Sequence, residues 1–86
     1  MINAEYRKEI LTSAKEARIK EVTEYQVNID NFRTAMDLIG DNPEMAEFKE
    51  QLNGLWTSSI KEQAKAKLML LAITMQLEKN NVRPDL

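Results

Sequence analysis

Val22, Tyr25, Ile29, Phe32, Met36 and Ile39 recur at spacings of three, four, three, four and three. That is a seven-residue repeat, and it places all six side chains on one stripe of an α-helix. A half-buried strand would alternate every second residue, and this segment does not. The stripe runs into Gly40, the residue best able to adopt the left-handed conformation that ends a helix.

Asp41-Asn42-Pro43-Glu44 restarts the chain. Asn42 suits the N-cap, Pro43 the first helical position, and Glu44 and Glu47 the positive end of a helix dipole. At the other end, Asn3 is placed to cap a first helix with Glu5 in its first turn. The expectation is an all-α chain, one domain over residues 1–86, with helices at about 3–39 and 43–79. Two long helices joined by so short a link must lie antiparallel. Pro84 forbids continuation and leaves residues 80–86 as a short flexible tail.

Facing residues of an antiparallel pair carry numbers that add to a constant. Ile39 with Met45, Met36 with Phe48, Phe32 with Leu52 and Ile29 with Leu55 share one such constant. Tyr25 with Ser59, Ala14 with Leu70 and Leu11 with Ile73 obey it too, which supports a single long helical hairpin. The weak point is Asn53–Ser59. Gly54 inside a helix costs about 1 kcal/mol relative to alanine, and Ser59-Ile60-Lys61-Glu62 has the form of a capping box. Continuity, with room for a kink at 53–59, is favoured because Leu52, Ser59, Ala66 and Ile73 keep the seven-residue spacing throughout.

The second helix carries more apolar surface than one partner helix can cover. Ala66, Leu70, Ile73 and Leu77 continue the seam toward the first helix. Ala64, Leu68, Leu71 and Met75 lie two residues out of phase, about 200° around the helix. Trp56 and Ile60 extend this outer stripe toward the turn. Burying a leucine or methionine contributes about 1.5–3 kcal/mol, so a stripe left in water forgoes several kcal/mol. Trp56, Ile60, Ala64, Leu68, Leu71 and Met75 are therefore the expected interface of a homo-oligomer, a dimer first, closing a four-helix or larger bundle.

Composition narrows the chemistry. With 86 residues the chain buries a modest core, and small domains commonly rely on a disulfide, a metal or a partner. It contains no cysteine and no histidine, which leaves association as the reinforcement. No glycine-rich phosphate loop or nucleophile–base arrangement occurs, so no catalytic residue, cofactor or metal is expected and the chain is read as no enzyme. The longest apolar run, Leu68–Ile73, falls far short of the about 20 residues a membrane span needs, and the N-terminus lacks a signal-like core. The expected setting is soluble and cytoplasmic, without membrane partners.

Twelve basic residues stand against 14 acidic ones, a net charge of −2. That balance lacks the basic footprint of a general nucleic-acid binder. Locally, Lys15, Arg18, Lys20, Lys61, Lys65 and Lys67 form a belt at mid-hairpin, the one candidate anion site, among glutamates able to pair with them. Arg18 falls on the seam near Glu62, and a partly buried Arg18–Glu62 pair is expected there. The tip is acidic, with Asp37, Asp41, Glu44, Glu47 and Glu50 around Lys49. The functional expectation is a non-catalytic protein that binds another, unidentified protein through helical faces, as an adaptor, inhibitor or assembly factor. Its size and inventory suit the small accessory and counter-defence proteins of bacteriophages. The alternative is a nucleotide or nucleic-acid binder using the basic belt.

Overall fold

The computed structural model describes residues 3–82, and they form a helical hairpin. Helix α1 spans Ala4–Ile39 and helix α2 spans Ala46–Val82, joined through a single 3-10 turn at Pro43–Met45. The two helices pack along their length into a rod of 68 × 17 × 15 Å. Its radius of gyration is 19.3 Å, against about 12 Å for a compact domain of this length. No helix among the described residues is long and apolar enough to cross a membrane.

The caps form where the sequence places them. Asn3 Oδ1 accepts from the Tyr6 amide at 2.8 Å, and Asn42 Oδ1 accepts from the Glu44 amide at 3.0 Å. Gly40 ends α1 with φ 57° and ψ −130°, dihedrals that a Cβ disfavours. Its amide donates to Met36 O, and the Asn42 amide donates to Ile39 O at 3.2 Å. This is the bond of a β-turn with glycine first of its two central residues, as type II′ demands. Lys49 then reaches back from α2 and donates to Gly40 O at 2.7 Å.

Pro43 opens the 3-10 turn and not α2 itself. Helix α2 also continues to Val82, three residues past the expected end and into the stretch assigned to a tail. Residues 83–86 of that tail lie outside the described residues. The weak segment 53–59 stays helical. Nothing lies within 4 Å of a Cβ built on Gly54, so this glycine answers no steric demand.

On α1 the seam is the expected one, and it continues through Arg18, Lys15 and Leu11 at unbroken heptad spacing. On α2 the open half also matches, with Ala66 buried and Leu70, Ile73 and Leu77 half-buried. Near the turn it does not. Met45, Phe48 and Leu55 are exposed, and Lys49, Leu52, Trp56, Ser59 and Gln63 take the inner positions. The facing pairs drawn through Met45, Phe48 and Leu55 are thus displaced around α2.

The cause is the turn. Each 3-10 residue advances about 120° where an α-helical residue advances about 100°. Three of them accumulate about 60°, close to the angle of about 50° between the two candidate seams. The seam that forms half-buries Trp56, the largest side chain available, and provides hydrogen bonds for the side chains of Lys49 and Gln63. Among the described residues, only Met36, Leu52 and Ala66 are buried apolar side chains, so the core is a thin line between two helices.

Candidate association surface

The outer stripe of α2 lies open. Leu68 is 66% exposed and Leu71 57%, and Ile60, Ala64 and Met75 are exposed with them. Helix α1 touches the opposite side, where Ala66 retains only 2% of its accessible surface.

Trp56 departs from the expectation. It is half-buried on the α1 side, and the Arg33 guanidinium stands 5.7 Å from its ring centroid. The spacing Leu52, Trp56, Ser59, Gln63 makes it a seam residue. Its indole Nε1 is buried without an acceptor among the described residues. The arrangement fits a cation–π contact, with the flat ring sheltered under a charge that remains hydrated.

A second open strip escaped the sequence reading. Phe48, Leu55, Glu62, Met69 and Gln76 lie seven residues apart, so they form one line along α2 beside the seam. Phe48, Leu55 and Met69 are exposed. Gln76 locates the line relative to α1, because its Oε1 accepts from Arg7 Nη2 at 2.9 Å. Next outward from Arg7 on α1 runs the line Ile10, Ala17, Glu24, Asn31, Leu38, and Leu38 is 83% exposed. The available signal was that Phe48 and Leu55 fit a heptad series sharing Leu52 with the true seam.

The basic belt does not gather into one cleft. Lys15 and Arg18 are half-buried on the seam, whereas Lys20 lies two residues on from Arg18 and is exposed. Lys65 and Lys67 likewise point to opposite sides of α2, and Lys61 is exposed between their directions. Arg18 does not pair with Glu62. Its Nη2 lies 3.7 Å from Glu21 Oε2, one turn along its own helix, and Glu62 pairs with Lys65 at 3.1 Å. Local partners at i+3 need no bridge between helices, and each pair keeps part of its hydration. Arg18 Nε is buried with no acceptor among the described residues.

At the acidic tip Lys49 clasps the turn through Gly40 O, and Asp37 pairs with Arg33 at 3.5 Å. Among the described residues, no group of three or more acidic side chains is placed to hold a metal ion. Searches against protein-family models, curated proteins and solved structures find no match to this chain.

Proposed function

We propose that this chain is a small, non-catalytic helical protein that works as an oligomer by binding another macromolecule through the uncovered faces of α2. An adaptor, an inhibitor and an assembly factor all act in this way. The carrying observation is the outer stripe Ile60, Ala64, Leu68, Leu71 and Met75, which is open to water on a chain whose core holds three buried apolar residues among those described. Several exposed large apolar residues on one helical face have the chemistry of an association surface. The test compares wild type with a Leu68→Glu, Leu71→Glu variant, each immobilised and exposed to the same cell extract. A partner held by wild type and released by the variant supports the reading, and identical capture profiles refute it.

One observation favours a second reading, the unsatisfied Nε of Arg18 within the basic belt. An anion could satisfy it. Oligonucleotide or nucleotide binding that weakens with salt and is lost in Arg18→Ala would move the function to that class.

A further inference from the structure

We propose that two copies of this chain pack side by side and antiparallel, through the face that carries Phe48, Leu55 and Met69 on α2 with Ile10 and Leu38 on α1. This rests on the association reading above and specifies the face and arrangement.

The first argument is the layout of that face. On α2, Leu55 lies seven residues before Glu62 and Met69 seven after it. On α1, Ile10 and Leu38 lie fourteen residues to either side of Glu24. Both lines carry apolar residues on either side of a charged middle. The two middles stand at one height on the rod, because Gln63 Nε2 donates to Val22 O and to Gln26 Oε1. A two-fold axis at that height, perpendicular to the rod, brings Leu55 against Met69 of the partner subunit. The same operation brings Ile10 against Leu38 of the partner subunit. Leu55, Met69, Ile10 and Leu38 then each meet an apolar residue, Phe48 meets Gln76 of the partner subunit, and all four helices alternate in direction.

The second argument is charge. Residues 27–58 around the tip hold six carboxylates and two cations, a balance of −4. Residues 3–26 and 59–82 hold nine cations and seven carboxylates, a balance of +2. A parallel pair would set the two acidic tips together. The antiparallel pair sets each tip beside the basic half of its partner, which lowers the repulsion between copies.

The third argument is area. A compact protein of 9.9 kDa exposes about 5,200 Å², and this rod exposes 6858 Å². One long side of 68 by 17 Å offers roughly 1,100 Å², more than the about 800 Å² per partner of a standard stable interface. Ile60, Leu68, Leu71 and Met75 sit elsewhere around α2 and stay free for the macromolecular partner.

The test uses the full chain, whose lack of cysteine allows single labelled sites. Spin labels at Asp41→Cys in both copies should lie far apart, at a separation approaching the 68 Å length of the rod. A mixture of Asp41→Cys and Thr12→Cys chains should give a short distance instead. Leu55→Glu with Met69→Glu should weaken dimerisation about 100-fold or more in sedimentation, while Leu68→Glu with Leu71→Glu should leave it unchanged. Glu24→Gln should strengthen it, because two carboxylates approach near the axis. A short tip-to-tip distance, or a dimer lost only in the Leu68, Leu71 variant, overturns this arrangement and leaves the association reading standing. A wild-type chain that stays monomeric at tens of micromolar overturns this proposal and the oligomeric part of that reading. If the Leu55, Met69 variant unfolds as it dissociates, the label distances decide.

Discussion

The side-chain amide of Gln63 donates to the backbone carbonyl of Val22 across the seam, at 3.1 Å. The same nitrogen donates to Gln26 Oε1 at 2.9 Å, and Gln63 is among the buried residues. An apolar heptad seam tolerates sliding by a turn, because leucine meets leucine in either position. A buried amide is satisfied only where its acceptors are, so this contact selects one alignment of α1 with α2. Gln63→Ala should lower stability by about 1–2 kcal/mol, and Gln63→Leu should recover most of it by apolar burial. Denaturant unfolding at a fixed protein concentration measures both changes. Equal losses in the two variants would mean that the hydrogen bonds, and not packing, dominate at this site.

The two glycines should respond in opposite directions. A Cβ at Gly40 meets nothing nearer than Asp37 O at 3.9 Å, so the cost of Gly40→Val is torsional and should exceed about 1 kcal/mol. Gly54 sits in mid-helix with open space beside it, and Gly54→Ala should stabilise by about 1 kcal/mol. Thermal melts of both variants at one concentration give the signs directly. A stabilised Gly40→Val would contradict the turn described above.

Arg18 occupies a seam position with a buried Nε lacking an acceptor among the described residues. Its ion pair with Glu21 is partly hydrated and is worth little once screening by water is counted. Arg18→Leu should therefore raise stability by about 1 kcal/mol, since it extends the apolar seam and removes the orphan donor. Chemical denaturation decides the matter, and a loss above about 1 kcal/mol would show that the guanidinium supports the hairpin.

The Arg33–Trp56 contact is the remaining energetic feature of the tip half. Arg33→Ala should cost about 0.5–1 kcal/mol and redden the Trp56 emission as water reaches the ring. Trp56→Phe should cost less than loss of ring area alone suggests, because it also deletes a buried N–H without an acceptor. Fluorescence of the Arg33 variant is a clean readout, since the chain has one tryptophan.

Much of this fold is legible in the sequence because the residues that decide it act locally. Asn3, Gly40, Asn42 and Pro43 set the ends of the helices through their own backbone preferences. The α1 seam is read without ambiguity because only one heptad series there is apolar. Helix α2 carries two overlapping series that share Leu52, Ser59, Ala66 and Ile73. Near the turn, the series with Phe48 and Leu55 is the more apolar, yet the series with Lys49, Trp56 and Gln63 faces α1. The choice depends on how far the 3-10 turn rotates the chain and on partners for Lys49 and Gln63. Neither quantity is present in a pattern of apolar positions. The outer stripe was readable because two residues out of phase means the far side of a helix in either register.

The turn at Gly40 also biases the order in which the rod closes. Lys49 and Gly40 are 9 residues apart, whereas Arg7 and Gln76 are 69 apart. Bringing the distant pair together from an open chain costs about 1.8 kcal/mol more in loop entropy than bringing the near pair together. Once the turn has formed that difference falls away, since each successive layer is held beside the last. Loop entropy therefore favours closure as a zip from Gly40 outward and opening from the end where Arg7 meets Gln76. A substitution at the turn slows the forward rate, while one at the open end quickens the reverse rate and leaves the forward rate almost untouched.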